Sequence, residues 1–188
     1  MSSRMNRRLP LGRWLGLEVT ISPIGIISFL AVVPFSMAIS MWLGQIDFGS
    51  ALWSGFLTAV IFFLSDFLHQ YGHALAAKRV EYPMRGMFFF SVFSGSQYPR
   101  DEPTLPPATH IRRALGGFWV NVIIGILLGA AANSVWGSAL GWALLISASW
   151  NFFILGWGAL FPIDIQGFTT DGATIWKNWQ QSRASQAK

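Results

Sequence analysis

The sequence contains no cysteine, which excludes disulfides, thiolate-ligated zinc and a thiol nucleophile and leaves histidine and carboxylate as the metal-holding side chains. Charge is scarce as well. Asp, Glu, Lys and Arg make up 11% of the 188 residues, against 53% hydrophobic residues, and no charged residue occurs between Ala114 and Ile163. A soluble domain is not composed this way, so the chain reads as a small integral membrane protein. Its formal net charge of +5 does not make a nucleic-acid-binding face, because the cations stand at the ends of apolar runs, where they act as topology signals. Histidine is rarer still. There are three, and two of them, His69 and His73, share one apolar run.

Aromatics are abundant, with ten Trp and sixteen Phe. The tryptophans near expected helix ends, Trp42, Trp53, Trp136 and Trp142, suit interfacial belts, with ordinary packing as the alternative for each. Arg4, Arg7, Arg8 and Arg13 have no acid among them, and no short apolar core with a small-residue cleavage site follows, so the basic end is expected to stay in the cytoplasm. Leu17 to Ile21 alternates in the manner of a short strand. Runs of about 20 apolar residues span a bilayer, and on that basis helices are expected over roughly 22–45, 50–78, 114–132 and 138–160. Five prolines between Glu81 and Arg113 exclude a helix through that region. There the run Met87 to Phe93 fits a strand, followed by a turn at Ser94-Gly95-Ser96. Such a strand offers an edge to which an extended peptide can add, the alternative being a hairpin packed on its own protein.

The expected fold is an all-α integral membrane protein with about four transmembrane helices and short strand or hairpin segments on the cytoplasmic side. Residues 1–21 form a basic start and short strand. A single membrane-embedded domain covers 22–180, with a strand-rich loop over 80–112 and an interfacial helix over 171–180, and 181–188 is a tail. The basic loop and termini and the cation-free short turns put both termini in the cytoplasm, in a cell inner or plasma membrane.

His69 and His73 are one helical turn apart, about 6 Å, a spacing that suits two ligands of one metal. The zinc-hydrolase pattern H-E-x-x-H places a glutamate base after the first histidine, and here that position is Gln70. Asp66, Gln70 and both histidines form one polar stripe, which must face protein or a wet cavity. Histidines on a buried helix also satisfy themselves on backbone carbonyls, but intramembrane ionisable groups are functional by default, and the metal reading leads. A third ligand is needed. The segment from Gly156 to Gly172 breaks the fourth helix and delivers Asp164 and Asp171. Asp171 is the choice, since Thr169-Thr170 before it and Gly172-Ala173-Thr174 after it resemble a capped helix start, with capping alone as the alternative role.

Taken together, these motifs resemble the site-2 protease family, intramembrane zinc metalloproteases whose H-E-x-G-H helix is joined by an aspartate from a later N-x-x-P and D-G region. His69-Gln70-Tyr71-Gly72-His73 matches the first motif except at the glutamate, and Pro162 and Asp171-Gly172 match the second, whose asparagine would fall at Ala159. Ala114 to Asn121 resembles the family's G-P-x-x-N segment, with Phe118 in place of proline. The resemblance implies zinc on His69, His73 and Asp171, a substrate groove including Phe88, Phe90, Asn121 and Ala159, and transmembrane or extended peptide segments as partners within the lipid bilayer.

The departures from the pattern bear on mechanism. Gln70 cannot take a proton from a zinc-bound water, general acid–base assistance being worth about 10²–10⁴ in rate, and Ala159 lacks the substrate-holding amide the resemblance implies. The expectation is a pseudoprotease that keeps the zinc fold and has lost most or all hydrolysis. Asp66, one turn before His69, is expected as that imidazole's acceptor or as a substitute base. The alternatives are an active intramembrane metalloprotease or its Glu-to-Gln inactivated form, and a structural subunit of a larger membrane complex.

Overall fold

The computed structural model describes residues 8–165 and 168–186; the basic segment through Arg7 and the tail end at Lys188 lie outside the described residues. Four helices are long and apolar enough to cross a membrane: α1 Pro23–Gly44, α2 Phe48–Arg79, α3 Pro107–Ser134 and α4 Ala139–Leu160. The fold is mostly helical, with small sheets.

Local chemistry sets the helix ends. α1 begins with Pro23 at a first-turn position, where a missing N–H costs nothing, and the Ser22 hydroxyl accepts from the Gly25 amide at 3.0 Å. Asp47 caps α2 by accepting from the amides of Gly49 and Ser50, and Lys78 and Arg79 occupy its last turn, where cations complement the helix dipole. α3 starts at Pro107, not near Ala114. Proline is tolerated at that first position, and Arg113, whose charge placed the expected boundary, is buried in an ion pair with Glu102 instead of facing lipid. α4 is regular to Ser149, becomes π-helical over Trp150–Gly156 and tightens to a 3₁₀ turn over Trp157–Leu160. A fifth helix, α5, runs over Asp171–Gln186. It extends past position 180 because nothing from Gln181 to Gln186 breaks a helix, and Arg183 suits its C-terminal end.

A four-stranded sheet packs on the C-terminal half of α2, in the order β1 Leu9–Trp14, β2 Leu17–Ile21, β3 Gly86–Phe89, β4 Ser94–Gln97. β1 was not expected as a strand. It is held by a tight turn at Leu15-Gly16, both at positive φ (50° and 87°), the hairpin geometry that matches strand twist. β2 runs parallel to β3, and β3 antiparallel to β4. The inward residues Leu17, Val19, Ile21, Met87 and Phe89 join Phe67, Ala74 and Ala77 of α2 in one buried core. Ser94-Gly95-Ser96 is thus a strand and not a turn; the chain reverses over 90–93. Serine and glycine are poor strand formers, and tertiary contacts override the propensity. Both serine hydroxyls bond α2, and a side chain at Gly95 would meet the Phe88 ring at 2.6 Å. A two-strand hairpin, β5 Asp164–Ile165 and β6 Phe168–Thr169, links α4 to α5.

Candidate metal centre

α2 and α3 cross with their backbones in contact. A side-chain carbon on Gly72 would meet the Gly116 carbonyl oxygen at 2.5 Å, and one on Gly117 would meet the rings of both histidines, 2.5 Å from His73 Nε2 and 2.6 Å from His69 Nε2. A side-chain carbon on Gly116 would in turn meet the Gly72 carbonyl, so these three positions have to be glycine. The approach lets groups on α3 reach both imidazoles on α2.

Each imidazole is held through its Nδ1. His73 Nδ1 lies 2.8 Å from the Arg113 carbonyl oxygen, and His69 Nδ1 lies 3.0 Å from the Asn121 side-chain oxygen. Neither oxygen carries a proton, so each Nδ1 donates. The Gly117 amide also points at His73 Nδ1, at 3.3 Å, but the shorter carbonyl contact decides the tautomer. Both Nε2 atoms then present lone pairs, and they are 3.0 Å apart. Asp171 Oδ2 lies 3.4 Å from His73 Nε2 and 3.7 Å from His69 Nε2. Two lone pairs and a carboxylate converging in this way repel one another unless a cation sits among them.

The donor set fits zinc. Two neutral imidazoles whose Nδ1–H groups are fixed by oxygens, plus one carboxylate, make a three-ligand set that leaves a fourth position open. Tetrahedral zinc with bonds of about 2.0–2.1 Å separates its ligands by about 3.3 Å, and the three ligand atoms here all lie within 4.8 Å of one another.

Asp171 is not the helix cap. The Thr170 hydroxyl accepts from the Ala173 amide at 3.2 Å and donates to the Phe161 carbonyl oxygen at 2.6 Å, tying the end of α4 to the start of α5. With Thr170 capping, Asp171 is left to turn toward the histidines. Gly172 packs against the Leu160 carbonyl, where no side chain fits. Asp164 instead accepts from Thr169 within the exposed hairpin.

The other expected site residues divide. Gln70, Phe88, Phe90 and Ala159 line a cavity of about 490 Å³ beside His69, His73 and Asp171, and so does Asp66. Asn121 does not line it. It is fully buried and bonds His69, so it orients that imidazole and forms no part of the groove. Asp66 is correspondingly not the acceptor of His69; its Oδ1 accepts from Ser94 at 2.6 Å. One turn on, Gln70 Oε1 accepts from Ser96 at 2.8 Å. Residues i and i+4 of a helix and i and i+2 of a strand are both separated by about 6–7 Å. The polar stripe of α2 therefore fastens β4 along two rungs, and the base position is one of them.

Arg113, Glu102, Asn151 and the serines of β4 also belong to this neighbourhood, although their spacing in sequence does not show it. For Asn121 and Asn151 a signal existed: both lie in the charge-free stretch, where a buried amide requires a partner.

No family model matches the chain, and no curated protein matches it. Among solved structures it is similar to the Site-2 Protease from Methanocaldococcus jannaschii, with a TM-score of 0.61 and 18% sequence identity over 94% of this chain and 73% of that one. At this identity the similarity is one of fold.

Proposed function

We propose that this chain is a zinc-binding, multi-pass membrane protein with a site-2-protease-like fold, catalytically impaired or inactive, which binds transmembrane or extended peptide segments in the cavity beside the metal. The observation that carries the reading is the pairing of a complete ligand set with Gln70, whose amide is engaged by Ser96 of β4. The ligands are kept and the base is replaced.

Bound zinc supplies Lewis-acid polarisation of a carbonyl and acidification of a water. The chain's own residues then set the limits. A carboxamide at position 70 neither stores nor returns a proton near neutral pH. Asp66, the other candidate base, is occupied by Ser94 and has its second oxygen buried without a hydrogen-bond partner among the described residues. For binding, the parts remain. β4 is the last strand of its sheet, and Ser94, Gly95 and Ser96 line the cavity, an arrangement suited to strand addition. Phe168 of the β5–β6 hairpin packs on Phe90 and Phe93, with centroids 6.0 and 5.3 Å apart, and gives the cavity an aromatic wall for apolar side chains. Lys78 and Arg79 end α2, whereas the short connections after α1 and α3 carry no cation. That asymmetry supports cytoplasmic termini in a cell inner or plasma membrane.

Elemental analysis of purified protein is expected to find about one zinc per chain, lost in His69→Ala and in Asp171→Ala. Gln70→Glu is expected to raise cleavage of a membrane peptide by about 10²–10⁴ over the unsubstituted chain. Absence of zinc from the unsubstituted protein would sink the metalloprotein reading and leave a structural subunit. Equal cleavage with Gln70 and with glutamate would sink the loss of hydrolysis.

A further inference from the structure

Asn151 touches neither a ligand atom nor the cavity, yet it is fully buried at the start of the π-helical part of α4, where the regular helix ends at Ser149. Its Nδ2 donates to the Ser147 carbonyl oxygen at 2.8 Å and to the Ser65 hydroxyl at 3.1 Å. Both amide hydrogens are then used, and a backbone carbonyl can only accept, so this side chain has one permitted orientation. Its Oδ1 consequently faces Asn121 and accepts from Asn121 Nδ2 at 3.1 Å. That in turn leaves Asn121 a single orientation, with Oδ1 toward His69 Nδ1 at 3.0 Å. Were the Asn121 amide reversed, its N–H would face Nδ1, drawing the ring proton to Nε2 and blocking the ligand atom.

We infer that Asn151 is a positioning residue of the metal centre. The Ser147 carbonyl on α4 dictates, through Asn151 and Asn121, which nitrogen of His69 is free to bind a metal. The π turn is where a helix inserts an extra residue and re-aims a side chain, commonly for a functional purpose. Here the re-aimed side chain is an amide that no lipid-facing position would accept. His73 needs no such relay, because it donates directly to a backbone carbonyl whose polarity cannot be reversed. The inference rests on the metal-binding reading for its consequence, but its core is a statement about a tautomer.

The test compares zinc affinity, by competition with a chelator, in four full-length proteins: unsubstituted, Asn151→Leu, Asn121→Asp, and the double variant. Asn151→Leu is expected to weaken zinc binding about 10–100-fold, the usual cost of losing an outer hydrogen-bond partner of a ligand. In the Asn121→Asp background the same change is expected to cost nothing further. A carboxylate presents an acceptor in either orientation, so His69 no longer depends on residue 151. Damage to packing alone would lower affinity in both backgrounds, and that outcome would overturn the relay, as would an unchanged affinity in Asn151→Leu. A metal-independent readout accompanies it: ¹⁵N shifts of the His69 ring in zinc-free protein, expected to report Nδ1–H in the unsubstituted chain and a mixture of tautomers in Asn151→Leu. If the unsubstituted protein binds no zinc, the metal reading fails while these shifts still decide the relay; a Nδ1–H tautomer insensitive to Asn151→Leu would refute it.

Discussion

Gly117→Ala is expected to abolish zinc binding, lowering affinity by at least about 100-fold, while the four helices remain in the membrane. The methyl group would stand 2.5 Å from His69 Cε1 and from His73 Nε2. Since interiors are packed to near-crystalline density, either the imidazoles rotate away or α3 withdraws from α2. Rotation breaks the bonds to Asn121 and Arg113; withdrawal lengthens them. Gly129→Ala supplies the control on the same helix, because its methyl group would lie 3.8 Å from the nearest side chain, Ala148, an ordinary contact, and it should keep zinc. Zinc content of both variants beside their far-ultraviolet circular dichroism checks the prediction. Zinc retained by Gly117→Ala would show that the crossing is looser than the geometry requires.

The ion pair of Arg113 with Glu102 is the second place where one substitution should have a large effect. Arg113 Nη1 donates to both Glu102 oxygens at 3.0 and 3.1 Å, and its guanidinium stacks on the Tyr98 ring at 3.3 Å. The two side chains are 4% and 16% exposed. Removing one partner strands a buried charge, so Glu102→Ala is expected to cost about 3–5 kcal/mol. Arg113 Nη2 already lacks a hydrogen-bond partner among the described residues. The double variant Arg113→Met with Glu102→Leu is expected to recover most of that loss, because two charges no longer have to be desolvated. It should also retain zinc, because His73 is bonded to the backbone of residue 113 and not to its guanidinium. Thermal unfolding in detergent, read beside zinc content, separates the two effects.

These two predictions concern residues that a linear reading places incorrectly or leaves without a role. Arg113 was expected to mark the polar end of a span, and instead it lies inside α3 with its charge neutralised. Asn121 was assigned to the groove and in fact holds His69, whereas Asp66, expected to hold His69, holds β4. In each case the residue type was right for a polar task and the partner was wrong, because the partner lies on another element.

What the sequence by itself determined is what short-range geometry determines. The apolar runs specify four spans, because about 20 apolar residues match the bilayer. The pitch of an α-helix puts His69 and His73 on one face whatever surrounds them. The identity of Gln70 removes a proton carrier at the base position. Only the tertiary structure decided which nitrogen of each imidazole faces the ligand set, that Thr170 caps α5 and so releases Asp171 toward the histidines, and that Ser94-Gly95-Ser96 is a strand. Those outcomes depend on how closely α2 and α3 approach at Gly72 and Gly116 and on where α4 changes pitch. Hydrogen bonds across such crossings join residues as far apart as His69 and Asn121. No local spacing rule reaches that far, because the distance between them is set by the volumes of all the side chains packed in between.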